Sequence, residues 1–295
     1  MSKKRTTDNS SINRTIIVVF AAIIALSVLG FYLANRNTFS FNRSIKEELS
    51  KNVGLYADQL NERIHSAGSF AFTLAKEISL SDNHDESKLE QVVRTNMENH
   101  NMIIGSGYWF EPNMFKSGLK HYGPYYYKDE NNKIHKNPNY GSESFNYFEF
   151  EWYRNGLDPN KELVYNPPAR DELMETTFIT CTSPIVKNGK TIGVSTADVS
   201  LSETKLVVIT LKVGEEGYAY LLTKDGFYIA NELRGMHDLE DKITDDENKE
   251  ISSLGKKIIT SDKPGIETLN STGQYAAYSP IGDTGLYLVL VHPIK

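Results

Sequence analysis

The sequence predicts an α/β (α+β) fold in which one long N-terminal helix is followed by two stacked antiparallel-sheet modules. Three features lead there. An uncharged apolar run occupies 16–33, apolar residues recur with helical spacing from Ile45 to Ile78, and strand-and-turn signals then run through the same order twice.

The apolar run reads IIVVFAAIIALSVLGFYL. At about 1.5 Å per helical residue it approaches the length that crosses about 30 Å of hydrocarbon. Lys3, Lys4, Arg5 and Arg14 precede it and hold the short N-terminus in the cytoplasm. The expectation is a cytoplasmic tail at 1–15, a single transmembrane helix at 16–34 in the cell inner or plasma membrane, and an extracytoplasmic remainder. A cleaved signal peptide is the rival reading. Its apolar core is usually shorter and ends in a small-x-small site, whereas this run ends Phe31-Tyr32-Leu33-Ala34-Asn35-Arg36.

The helical repeat is carried by Ile45, Leu49, Val53, Tyr56, Leu60, Ile64, Ala67, Phe70, Leu74 and Ile78, with Lys, Glu, Asn and Asp between them. No proline interrupts 42–80, and Gly54 and Gly68 alone weaken it. A stalk helix is expected at 38–80, with a break near either glycine as the alternative. About 40 helical residues span about 60 Å, more than one compact domain covers. The stalk should therefore pack on a sheet further out and on a partner's stalk nearer the membrane, giving a homodimer.

A shorter helix is expected at 87–97, with Leu89, Val92, Val93 and Met97 on one side. Strands follow at 102–110, 122–127 and 162–165. A stronger pair at 175–186 and 191–199 is joined by Asn188-Gly189, which suits the positive φ of a tight hairpin. The polar stretch 129–140 reads as a hairpin tip or loop. After a helix or connector at 200–211 the pattern starts again. Strands at 217–222 and 227–230 flank Asp225-Gly226, a helix is expected at 251–259, and strands at 274–278 and 286–291 come last. Ser183-Pro184-Ile185 and Ser279-Pro280-Ile281 close the two passes, each leading through a turn to an apolar strand. Gly107-Tyr108-Trp109 and Gly217-Tyr218-Ala219 open them. The expected modules are 81–201, distal to the membrane, and 202–295, proximal to it.

Composition narrows the function. The 17 Tyr and 13 Phe argue against disorder, because aromatic side chains bury much area. The net charge of −6 is spread along the chain, and no basic run points to nucleic acid. Cys181 is the single cysteine, so no intrachain disulfide forms, and its apolar setting suits a buried side chain. No metal-ligand spacing, nucleophile elbow or phosphate-binding loop is present, so neither a catalytic residue nor a cofactor is expected. A glycosidase-like carboxylate pair stays open as a lesser alternative.

The order of these elements resembles the double Cache extracellular sensor domain of bacterial receptors. The resemblance rests on Trp152-Tyr153, Thr180-Cys181-Thr182-Ser183-Pro184-Ile185 and Gly193-Val194-Ser195-Thr196-Ala197-Asp198-Val199-Ser200-Leu201 in the first pass. In the second it rests on Gly214-Glu215-Glu216-Gly217-Tyr218-Ala219-Tyr220-Leu221, Asp225-Gly226, Ala277-Tyr278-Ser279-Pro280-Ile281 and Thr284-Gly285-Leu286-Tyr287-Leu288. It covers about 39–295. It implies two PAS-like modules, a small-molecule ligand in the distal one, and signalling of the chemoreceptor, histidine kinase or cyclase type.

The candidate ligand contacts are Trp152, Tyr153, Asp198, Arg170 and Tyr165. Trp152 and Tyr153 suit an aromatic wall, and Tyr165 ends the strand at 162–165. Asp198 suits an ammonium group. The resemblance places an arginine carboxylate clamp two positions before the Trp, where this chain has Phe150, so an amine or other small polar metabolite is expected. Arg170 stands where the family has a Tyr and an Asp after a Pro (here Pro168), and offers an anion contact if it points inward. The plainer readings stay open. Trp152-Tyr153 could be core, Asp198 could cap the following helix, Arg170 could be solvated, and Glu149 and Glu151 could form an exposed strand face. A membrane-anchored adaptor with the same fold and no metabolite is the competing function.

Overall fold

The structure is a computed structural model that describes residues 9–81, 85–171, 176–231 and 239–294. It divides into two compact units. One comprises Met1–Glu48 and Ile294–Lys295, and the other comprises Leu49–Pro293 and holds both sheets. The apolar run at 16–33 falls largely on residues whose side chains lie outside the description. Among the described residues no helix is long and apolar enough to cross a membrane.

Helix α1 (Asn9–Leu80) runs unbroken through both glycines. In the larger unit its buried stripe is Leu49, Val53, Ala57, Leu60, Ile64, Ala67, Phe70, Leu74 and Ile78. Ala57 takes the place expected for Tyr56, which is only half-buried. Helix α2 (Glu86–Asn99) starts at Asp85, whose carboxylate accepts the Ser87 and Lys88 amides and so satisfies two otherwise orphaned donors.

The first sheet contains β1 (Ile103–Phe110), β2 (Tyr125–Lys128), β3 (Ile134–Asn137), β4 (Val164–Tyr165), β5 (Ala169–Asp171), β6 (Thr176–Lys187) and β7 (Lys190–Ser200). Its order is β3-β2-β1-β7-β6-β4, with β5 also paired to β6, and all pairings are antiparallel. The β6–β7 hairpin turns at Asn188 and Gly189 with φ of 54° and 75°, as the dipeptide demanded. After α4 (Ser202–Thr210) come β8 (Tyr218–Thr223), β9 (Tyr228–Asn231), α5 (Lys249–Ile259), β10 (Gly265–Leu269), β11 (Gln274–Pro280) and β12 (Leu286–Pro293). The second sheet is ordered β10-β11-β12-β8-β9. In both sheets the first strand lies between its hairpin partner and the last strand. The Ser-Pro-Ile motifs fall on or at the end of the next-to-last strands, β6 and β11.

Three local expectations need correction, and one strand was not anticipated. The second strand begins at Tyr125 rather than 122, because Pro124 has no N–H to give the ladder and contributes only its carbonyl, to Tyr108. Part of the polar stretch 129–140 is strand β3, paired with β2. Strand β10 carries Gly, Glu and Thr among its five residues and had no apolar alternation to reveal it. Glu149 and Glu151 are exposed, but on a 3-10 turn (Tyr147–Glu149) and the short helix α3 (Glu151–Asn155), not on a strand.

Helix α1 crosses one face of the first sheet. The Ser195 hydroxyl donates to the Ala71 carbonyl, and the Val186 amide donates to the Ser79 hydroxyl at 3.1 Å. At Gly68 the helix approaches so closely that a Cβ would lie 2.5 Å from the Cys181 sulfur. A Cβ at Gly54 would meet nothing within 4 Å. The two glycines should therefore respond oppositely to alanine. Gly54→Ala should gain up to about 1 kcal/mol from helix propensity. Gly68→Ala should lose stability, because overpacking costs about 1–3 kcal/mol and exceeds that gain. Urea unfolding of both variants checks the signs.

On its α5 side the second sheet carries a buried apolar cluster. Tyr220, Leu222, Tyr278 and Val289 of the sheet belong to it with Ile243 and with Leu254 and Ile258 of α5. The corresponding layer of the first sheet is built differently.

Candidate ligand site

On the face of the first sheet turned away from α1 lies a cavity of about 510 Å³, within the usual size range for small-ligand pockets. Strand alternation decides which residues reach it. On β7, Thr196 and Asp198 face the cavity, while Ser195 and Ala197 face the helix side. On β6 it is Phe178 and Thr180, on β5 Ala169 and Asp171, and on β1 and β2 Trp109 and Tyr125.

Asp198 is 7% exposed. Thr180 donates its hydroxyl to Oδ1 at 2.6 Å, and Tyr125 donates to Oδ2 at 2.6 Å. Burial pushes the carboxyl above its ordinary pKa, the two hydrogen bonds pull it back, and the charge of Asp171 adds to the rise. Burial and the adjacent Asp198 charge raise Tyr125, so its phenol stays a donor. Gly105 makes this arrangement possible, since a Cβ there would strike the Tyr125 hydroxyl and lie 2.8 Å from Asp198 Oδ2. The alternative reading of Asp198 as a helix cap is overturned. The residue at the α4 cap is Leu201, and the Ser202 amide at the start of that helix donates to the Ser200 hydroxyl, not to Asp198.

The opposite wall is aromatic. Tyr140 stacks on Phe145 at 4.2 Å between ring centroids, Phe145 on Phe150 at 5.0 Å and Phe150 on Trp152 at 6.1 Å. Trp109 closes the back, 5.0 Å from Trp152, with its indole N–H donated to Thr196 Oγ1 at 3.1 Å. Among the described residues, the lining carries the carboxylates Glu151, Asp171 and Asp198 and no Lys, Arg or His. Among the described residues, no group of three or more His, Cys, Asp or Glu is placed to hold a metal ion.

Of the five residues singled out by sequence, Trp152 and Asp198 line this cavity together. Tyr153, the next residue of α3, is rotated about 100° around the helix and enters the core, its hydroxyl donated to Glu111 at 2.6 Å. Arg170 falls between Ala169 and Asp171 on β5 and is exposed, one residue out of register with the cavity. Tyr165 lines a different hollow, of about 410 Å³, and its hydroxyl pairs with His65 Nδ1 of α1 at 2.7 Å. Tyr165→Phe should therefore cost no more than about 1.5 kcal/mol, the worth of one ordinary hydrogen bond, and leave ligand affinity within twofold. Parallel melting and titration of the variant check both. Trp109, Tyr125 and Asp171 were not anticipated. For Asp171 the available signal was alternation from Ala169.

The family model described as the first PDC sensor domain of methyl-accepting chemotaxis protein-like receptors matches residues 89–205, which contain this cavity. The chain is 27% identical over 135 residues to the methyl-accepting chemotaxis protein McpC of Bacillus subtilis (45% of this chain, 18% of that protein). It is 23% identical over 233 residues to TlpB of the same organism (75% of this chain, 31% of that protein). The matches thus span less than a third of these relatives. Among solved structures, the extracellular domain of mmHK1S-Z2, a proposed histidine kinase, superposes with a TM-score of 0.72 at 20% identity, covering 84% of this chain and 97% of that one. The ligand-binding domain of the Pseudomonas aeruginosa amino-acid chemoreceptor PctC, in complex with GABA, superposes with a TM-score of 0.59 at 16% identity, covering 83% and 98%. These matches bear out the resemblance to the double Cache sensor domains.

Proposed function

We propose that this chain is the extracytoplasmic ligand-sensing portion of a bacterial transmembrane signalling receptor, and that its ligand is a small cationic amine. One observation carries the choice of ligand: among the described residues, the cavity joins an aromatic wall to three carboxylates and has no basic residue in its lining. A buried carboxylate without a cation is costly, and an ammonium group relieves that cost while the ring faces attract it. The GABA held by PctC carries a carboxylate, for which the described residues of the lining here offer no cationic partner.

The remaining parts of this reading are an anchor in the apolar run at 16–33, an N-terminus in the cytoplasm, modules divided near residue 201, and pairing of two chains through α1. Sensing, not turnover, is the role assigned to the chain. Helix α1 touches the back of the same sheet that lines the cavity, so a ligand that binds one sheet arrangement better than another biases α1. A thermal-shift screen of the full chain in detergent against amines, amino acids, carboxylates, nucleobases and sugars tests it. Amines should stabilise the protein, by about 2.7 kcal/mol at 100 times the dissociation constant. Stabilisation by carboxylates or sugars instead would refute the ligand class.

A further inference from the structure

Among the described residues, four hydroxyls line the cavity, and three of them are already hydrogen-bonded within the protein. Thr180 and Tyr125 donate to the two oxygens of Asp198, and Thr196 accepts the Trp109 indole N–H. The fourth, on Tyr140, makes no hydrogen bond. Tyr140 comes from the segment between β3 and the 3-10 turn. It also borders a second hollow of about 210 Å³, which shares Tyr125 and Asp198 with the cavity. Its ring lies 5.1 Å from that of Tyr125, whose hydroxyl reaches Asp198. Burial and the Asp198 charge raise the Tyr140 phenol, so it keeps its proton and presents neutral oxygen lone pairs.

The supply of acceptors then limits what can bind. A carboxylate offers about four lone-pair directions, of which about two remain once each oxygen has taken one hydrogen bond. Thr180 and Tyr125 take those two at Asp198. A primary ammonium brings three N–H donors, so one is left over, and a buried donor without an acceptor is costly. Glu151 is exposed and Asp171 already has an interaction partner, which leaves the Tyr140 oxygen.

We infer that the site selects a primary ammonium group whose third N–H is accepted by the Tyr140 hydroxyl, and that Tyr140 is the residue that sets this preference. This inference rests on the amine-sensor reading and deepens it, from the charge of the ligand to the number of its N–H groups. A tertiary ammonium has a single N–H, which Asp198 satisfies alone, and it turns methyl groups towards the Tyr140 oxygen.

The test titrates the full chain with 1-aminopropane and N,N-dimethyl-1-aminopropane by calorimetry at neutral pH, where both are cations, for the wild type and for Tyr140→Phe. The wild type should bind the primary amine tighter by about 10-fold or more, the effect of one charge-assisted hydrogen bond. Tyr140→Phe keeps the ring that stacks on Phe145. It should weaken the primary amine by about 10-fold and leave the tertiary amine within about twofold, whereas a merely structural role would weaken both alike. Equal affinities in the wild type, or a tighter tertiary amine, would overturn the inference and leave the amine sensor standing, and this comparison needs no variant to fold. A preference for the primary amine that survives Tyr140→Phe would also overturn it. Binding of neither amine would refute the amine sensor itself.

Discussion

Asp198→Asn should weaken an amine ligand about 100-fold while the fold survives. The variant keeps the volume and one of the two acceptor oxygens, turns the other into an N–H donor that the Thr180 or Tyr125 hydroxyl must accept, and removes the charge. Truncating one side of a buried charge pair costs about 2–5 kcal/mol, and about 2.7 kcal/mol corresponds to 100-fold. The wild type should also show two pH dependences of opposite sign. Burial raises the Asp198 pKa above its unfolded value, so between the two values the folded chain holds the extra proton. Through that window the ligand-free protein loses stability as pH rises, and levels off above the folded pKa. Amine affinity runs the other way, rising with pH as the carboxylate forms. In Asp198→Asn both dependences should flatten. Melting temperature and affinity measured across the acidic range, on both proteins, check the pair of slopes.

Trp109→Ala should have the largest effect on stability, about 3–5 kcal/mol, as for other large aromatic-to-alanine changes in cores. Trp109 is 2% exposed and lies within about 6 Å of five other rings, from Tyr125 to Trp152. Its loss removes the back wall of the cavity and strands the Thr196 hydroxyl. Against a typical total of about 5–15 kcal/mol this is a large fraction. Chemical denaturation should show a lower midpoint, and the ligand-induced shift should disappear with it. Trp109→Phe, which keeps a ring and loses only the N–H donor and some volume, should cost much less.

Much of this was legible in the sequence for identifiable reasons. Helix α1 announced itself because Leu49, Val53, Leu60, Ile64 and Ile78 must all meet one surface. The one displaced position is Ala57 for Tyr56. The hairpin at Asn188-Gly189 followed from a dipeptide with a strong preference for positive φ. Asp198 and Trp152 were legible through resemblance. What was hidden depends on parity and on partners far along the chain. Whether Arg170 or Asp171 faces inward depends on the register of a three-residue strand against β6, where the sequence offers two charged neighbours and no apolar alternation. Tyr153 was misleading for a related reason, because α3 replaces strand alternation with helical rotation between two adjacent aromatics. Tyr125 reaches Asp198 at a separation of 73 positions and Trp109 reaches Thr196 at 87, distances no local pattern spans.

The most direct measurement titrates the full chain by calorimetry with two ligands of matched size and different charge, 1-aminopropane and 1-propanol. Saturable binding of the amine with no detectable binding of the alcohol is the result this structure predicts. Binding of the alcohol as tightly as the amine would show that the carboxylates at the cavity wall do not choose its ligand, and would contradict the account at its centre.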